Sequence, residues 1–126
     1  MEWEFTNDRP VYIQIIEELQ FRMVTGFYTP GESFPPVRTL ASEAQVNPNT
    51  MQRALAELES QGLLCTQRTN AKTLTEDREM LENLKKEMAK KRIRSFLGEM
   101  ERLGFDRTNT IQLISQIKET IDKEVR

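Results

Sequence analysis

One interruption in the apolar pattern constrains this chain more than any other feature. It is Asn47-Pro48, which falls between two short runs of helical spacing. Upstream, Val37, Leu40, Ala41 and Ala44 follow i, i+3, i+4, i+7; downstream, Met51, Ala54, Leu55 and Leu58 form a second stripe. Proline has no N–H to donate and disfavours the helical conformation in the residue before it, so a single helix cannot run through position 48. At the first position of a new helix the same residue is harmless, and Asn47 before it is a good N-cap. The spacing therefore predicts two short helices joined by a turn of a few residues.

The second of these helices carries its polar side chains Asn49, Gln52 and Arg53 clustered at its front, separate from the apolar stripe. A merely solvated face needs no such clustering, whereas a face inserted into another molecule does. Two helices so joined, with the polar front on the second, have helix-turn-helix spacing. After Gly62 closes the helix, "LLCTQ" and "KTLT" flank the polar tip "RTNA", which predicts a β-hairpin, either a wing or a plain surface hairpin.

Before this unit, "EWEFT" at residues 2–6 alternates Trp3 and Phe5 with polar neighbours and predicts a short strand with one buried face. Pro10 opens a helix whose apolar residues Tyr12, Ile15, Ile16, Leu19 and Met23 keep the 3.6 period until Gly26. Pro30-Gly31 makes a turn, Phe34 returns to the core, and Pro35-Pro36 stand at the start of the next helix.

From about residue 76 the composition shifts to long charged helix. Leu81, Leu84 and Met88 give one stripe; Ile93, Phe96, Leu97, Met100 and Leu103 give another, rotated by about 100 degrees. Gly104 breaks this helix, Asp106 caps a last one, and Thr110, Ile114, Ile117 and Ile121 continue the pattern. About 50 residues hold too little material for a core of their own. These stripes need a partner, either a second copy of the chain or the chain's own amino-terminal part.

Composition removes most other functions. The 126 residues include no histidine and one cysteine, Cys65, so the commonest metal ligand and acid-base catalyst is missing and no internal disulfide can form. Cys65 reads as a half-buried strand residue, with a reactive thiol as the alternative. No glycine-rich phosphate loop, Ser/His/Asp set or spaced carboxylate pair is present, so neither enzyme chemistry, a metal nor a cofactor is expected. No apolar run approaches the roughly 20 residues that cross a bilayer, so no membrane association is expected. The acidic amino terminus lacks the pattern of a secretory signal, and the cytoplasm is the expected location. Net charge is −2; residues 1–72 carry six basic against nine acidic side chains, and residues 73–126 twelve against eleven. Any binding to nucleic acid must come from a local patch. One basic run, Lys85, Lys86, Lys90, Lys91, Arg92 and Arg94, reads as a solvated helix face or as an extra contact to a DNA backbone.

Taken in order, "P-x-Y-x-Q-I" from Pro10, "G-x-x-x-P-G" from Gly26, "P-x-x-R" from Pro35, "V-N-x-x-T" from Val46 and "A-L-x-E-L-x-x-x-G-L-L" from Ala54 span about 55 residues. Together they resemble the winged helix-turn-helix domain of GntR-family bacterial transcription regulators. Larger subfamilies append an effector domain of well over one hundred residues. The short helical tail here resembles the YtrA-type subfamily, in which the tail serves dimerisation. The resemblance implies a mainly α fold: an amino-terminal winged helix-turn-helix of three helices plus a small β-hairpin wing over residues 1–75, then a helical hairpin over residues 76–126. It also implies a homodimeric repressor of a (pseudo)palindromic double-stranded DNA operator. The residues name no small-molecule effector.

Carried over by motif, the family's DNA contacts fall on Arg38, Asn47, Asn49, Thr50 and Gln52, with Arg53 beside them on the exposed side by helical spacing. Gln and Asn can bond adenine bidentately and Arg can bond guanine, while Thr50 suits a phosphate. In the wing, Thr69 and Ala71 stand where the family carries glycines, and Asn70 between them tolerates positive φ. Arg68, Asn70 and Lys72 are the wing residues expected at DNA, through phosphates. Gln52 stands where many relatives have arginine, and Pro36 where they have a small polar cap. The alternative from another class is a protein-interaction adaptor that keeps the scaffold without specific DNA binding. The contact residues expected for dimerisation are Leu81, Leu84, Met88, Ile93, Phe96, Leu97, Met100, Leu103, Ile114, Ile117 and Ile121.

Overall fold

A computed structural model describes the backbone of residues 2–125 and the side chains of residues 2–117. Five helices and one hairpin follow in the order α1 (Val11–Val24), α2 (Val37–Ala44), α3 (Pro48–Ser60), β1 (Leu64–Thr66), β2 (Lys72–Leu74), α4 (Arg78–Arg102) and α5 (Arg107–Val125). The chain divides into two compact units, residues 1–85 and residues 86–126.

In the first unit the apolar stripes of α1, α2 and α3 meet in one core. Ile15, Leu19, Leu40, Met51, Ala54, Leu55 and Leu58 are fully buried there, joined by Phe34, Leu63, Leu64 and Leu74 from the connecting segments. These are the residues whose 3.6 spacing marked them as core. Burying a side chain of this size contributes about 1.5–3 kcal/mol, before the entropy cost of ordering it. The hairpin pairs Leu64 with Leu74 and Thr66 with Lys72 in antiparallel register. A third edge, unforeseen in the sequence, comes from the segment before α2. Ser33 bridges to Thr73, Phe34 N–H donates to Lys72 O at 2.7 Å and Gly31 N–H donates to Leu74 O at 2.8 Å.

Four helices end in the same way. The residue after the last turn adopts positive φ, and its neighbour's N–H reaches back five residues, as Phe105 N–H does to Met100 O at 3.0 Å. Glycine fills that left-handed position at Gly26, Gly62 and Gly104, but in the turn between α2 and α3 it is Gln45, with φ 56°.

Three sequence expectations are corrected. Residues 2–6 do not form a strand, because no neighbouring strand offers them a ladder. The buried amide of Gln14 takes that role: Thr6 N–H donates to its Oε1 at 2.8 Å, and its Nε2 donates to Thr6 O at 2.9 Å and Arg9 O at 2.8 Å. The alternation is still used, since Trp3 and Phe5 pack against the core. Cys65 is exposed rather than half-buried, because the neighbours Leu63 and Leu64 take the inward positions. Leu81 is 8% exposed and belongs to the core of the first unit, with Leu84 packed against it. The first turns of α4 thus complete that core, and the apolar surface of Leu81 is spent within its own chain.

In the second unit, Asp106 caps α5 as its sequence predicts: Asn109 N–H donates to Asp106 Oδ1 at 2.8 Å, and the buried Thr110 hydroxyl donates to Asp106 O at 2.7 Å. Much of the remaining stripes lies exposed among the described residues. Leu103 is 73% exposed and Ile117 57%, and Ile93, Phe96, Phe105, Ile111 and Ile114 are exposed as well. Met88, Leu97 and Met100 are half-buried, and the side chain of Ile121 lies outside the described residues.

Candidate nucleic-acid interface

The front of α3 is built by its cap. Asn47 Oδ1 accepts from Asn49 N–H at 2.8 Å, and Pro48 occupies the first helical position. Asn47 therefore directs its carbonyl oxygen to the helix, and its side-chain N–H groups have no partner among the described residues. With Pro48 lacking an N–H and those of Asn49 and Met51 both taken by Asn47, the Thr50 N–H is the one left at this helix end, whose dipole favours an anion beside it. Behind the front, Met51, Ala54, Leu55 and Leu58 lock α3 to the core, so the presented face is rigid.

At 3.6 residues per turn the centre of that face is Asn49, Ala56 and Ser60, all exposed. Ala56 and Ser60 are small and let the helix backbone come close to a groove floor. Gln52 is exposed on one side of this line and Arg53 on the other; Thr50 is half-buried. Arg38 on α2 is also exposed, with no ion-pair partner among the described residues.

Each flank of α3 is tied to another element. On one side the Arg53 guanidinium lies 3.7 Å from the centroid of the Tyr12 ring in α1. On the other side Glu59 accepts from Lys72 Nζ at 2.5 Å and from the Thr66 hydroxyl at 2.7 Å. These two donors hold the Glu59 carboxyl below the ordinary carboxylate range. Lys72, which the sequence offers to a phosphate, has its ammonium engaged with Glu59 of α3.

The tip of the wing forms without glycine. Asn70 N–H donates to Gln67 O at 2.9 Å and Gln67 N–H donates to Ala71 O at 2.8 Å, with Asn70 at φ 66°. This is a three-residue turn closed by a left-handed residue, and asparagine takes the place glycine usually fills. Arg68, exposed at this tip, is the wing's remaining unengaged cation among the described residues.

Residues 11–72 match the family described as bacterial regulatory proteins, gntR family. A GntR family transcriptional regulator from Listeria monocytogenes shares 38% identity and a TM-score of 0.81 over 89% of this chain and 98% of that one. The chain belongs to the GntR family. Within it, the chain is 30% identical over 119 residues to YhcF of Bacillus subtilis, an uncharacterised HTH-type transcriptional regulator, covering 94% of this chain and 98% of YhcF. It is 35% identical over 71 residues to YtrA of Bacillus subtilis, an HTH-type transcriptional repressor, covering 56% of this chain and 55% of YtrA.

As a GntR-family member the chain is a transcription regulator with a winged helix-turn-helix domain, not an enzyme. No cluster of three metal-ligating side chains occurs among the described residues, and none of their helices is long and apolar enough to cross a membrane.

Sequence reasoning missed three residues that shape this domain. Gln14 ties down the amino-terminal arm. Arg22, 2% exposed, lies 4.2 Å from the centroid of Trp3 and 5.1 Å from that of Phe27, with Glu18 Oε2 at 2.9 Å from its Nε. Its signal was available: Ile15, Leu19 and Arg22 are spaced i, i+4, i+7, which puts a cation inside an apolar stripe. Tyr12 was read as core, and its contact with Arg53, 41 positions along, has no local signature.

Proposed function

We propose that this chain is a homodimeric repressor in the cytoplasm that binds a (pseudo)palindromic operator, with the front of α3 in the major groove. The observation that carries the reading is the rigid, capped N-terminus of α3, presenting the side chains of Asn49 and Gln52 with no hydrogen-bond partner among the described residues, beside a surface of small residues. Side-chain amides so placed suit the paired donor and acceptor of adenine, and Arg38, Thr50, Arg68 and the amide groups of Asn47 and Asn70 serve phosphates. Repression is taken from the YtrA relative.

Homodimerisation is supported by the exposed apolar side chains of the second unit, Ile93, Phe96, Leu103, Ile114 and Ile117 among them. Water contact with so many large apolar groups is costly, and a second copy offers the same surface in return. The first unit is then the reader and the second the dimeriser. Two readers related by a twofold axis require half-sites about 34 Å apart.

Selection of duplexes from random-sequence DNA by the full-length protein tests the reading. Enriched inverted half-sites, with preference at one base pair relaxed by Gln52→Ala, are the expected result. Enrichment of nothing would favour an adaptor on the same scaffold, a reading to which the engaged Lys72 and the acidic first unit also lend themselves.

A further inference from the structure

Arg53 is the single cation of α3, against Glu57 and Glu59. It is held by an aromatic ring of a different helix: its guanidinium carbon stands 3.7 Å from the centroid of Tyr12, at face-to-face contact distance. Stacking occupies the flat faces of a guanidinium and leaves its five edge N–H donors available. No carboxylate pairs with Arg53 among the described residues, and the side chain is exposed.

Location decides what those donors meet. Gln52 and Arg53 leave the helix on opposite sides of the central line through Asn49, about 60 and 40 degrees from it, so what separates them is the direction of the side chain: Arg53 is drawn away from that line onto the Tyr12 ring of α1. A side chain drawn sideways onto α1 sits at the rim of the inserted face, where the wall of a groove is sugar and phosphate rather than base edge. A planar fork matches two phosphate oxygens, and Arg53 has already lost much of its rotamer freedom to the ring before DNA arrives.

The geometry points to Tyr12 as a positioning residue that holds Arg53 as a phosphate clamp on the α1 edge of the recognition helix, so that Arg53 fixes register and reads no base. This rests on the DNA-binding reading above. It changes the division of labour on α3: Asn49 and Gln52 supply base preference, and the helix's positive charge supplies sequence-independent affinity.

The test uses the full-length protein, a duplex it selects from a random library, and a duplex of the same bases in scrambled order, each titrated at several salt concentrations. Arg53→Ala is expected to lower affinity about tenfold on both duplexes. It is also expected to reduce the slope of log K against log salt by about 0.9, one phosphate contact. Tyr12→Leu is expected to cost about threefold on both, and Tyr12→Phe, which keeps the ring, close to nothing. Should Tyr12→Leu not fold, Arg53→Lys carries the same point: charge stays, planar stacking goes, and affinity falls about threefold with the slope kept.

A loss in Arg53→Ala confined to the selected duplex and to one base pair would make Arg53 a base reader and overturn the clamp. No loss on either duplex would make the stack a packing contact only. A full loss in Arg53→Ala with none in Tyr12→Leu would remove Tyr12 from the role. Wild-type protein that binds neither duplex overturns the DNA reading itself and the clamp with it; wild-type binding that Arg53→Ala leaves unchanged overturns the clamp alone.

Discussion

Lys72 Nζ lies 2.5 Å from Glu59 Oε2 and so bonds the base of the wing to the last turn of α3. Because Lys72 and the Thr66 hydroxyl both donate to it, Glu59 keeps its charge below the ordinary carboxylate range. A carboxylate with a depressed folded-state pKa contributes stability that is present above its unfolded value and lost as the pH falls through the folded one. Glu59→Gln is expected to remove that contribution at neutral pH and to flatten the decline of stability below about pH 5. Urea unfolding across a pH series measures it; an acid limb identical to wild type would show that the pair adds nothing. The same substitution releases Lys72, and the salt slope of DNA binding should steepen by about 0.9.

Gln45 closes the turn between α2 and α3 in the left-handed conformation, φ 56° and ψ 47°. A side chain in that region costs about 1 kcal/mol relative to glycine, partly offset by the greater freedom of glycine in the unfolded chain. Gln45→Gly should therefore raise the urea midpoint with an unchanged m value. A lowered midpoint would mean that the Gln45 side chain contributes more than its backbone strain removes.

The buried amide of Gln14 makes three hydrogen bonds to the backbone of the arm of residues 2–9, beside the packing of Trp3 and Phe5 on the core. Replacing Gln14 by Leu leaves Thr6 N–H, Thr6 O and Arg9 O without their partner and is expected to cost about 1–3 kcal/mol. Trp3, the chain's single tryptophan, stacks on the buried Arg22, so its emission reports whether the arm is docked. A red shift before global unfolding is the expected signature; wild-type emission in Gln14→Leu would place the anchor elsewhere.

What the sequence made legible was local. The stripes of α1, α2 and α3, the Asn47 cap, the glycine stops and the two strands of the wing all follow from spacing within a dozen residues. What escaped it was pairing at a distance. Lys72 with Glu59 and Tyr12 with Arg53 join elements whose relative placement the core sets, and nothing in the local pattern marks one lysine as engaged and one arginine as available. The wing cations show the consequence: Arg68 and Lys72 look alike in sequence, and only the fold of β1 and β2 brings Lys72 onto α3. The stripe of α4 failed for a related reason, since its period is correct but does not say that Leu81 faces the first core.

That placement of Leu81 separates two truncations. Ending the chain after Lys85 keeps the first unit's core, whereas ending it after Thr75 removes Leu81 and about 2 kcal/mol of burial. The longer fragment should melt higher and scatter light as a monomer. Full-length protein should scatter at twice the chain mass of 14.8 kDa, and Ile114→Glu, which puts a charge among the exposed apolar groups, should halve that. Full-length protein at the single-chain mass at micromolar concentration would contradict the dimer.

The central claim is that α3 reads DNA sequence from two copies at once. The affinity of the full-length dimer for its selected duplex, against the same duplex with about five base pairs inserted between the half-sites, tests it most directly, because the insertion turns one half-site to the opposite side of the helix. The account predicts that the insertion abolishes most of the specific affinity, bringing it towards the value for scrambled DNA, typically at least 1,000-fold weaker. Equal affinity for the original and the lengthened duplex would contradict it.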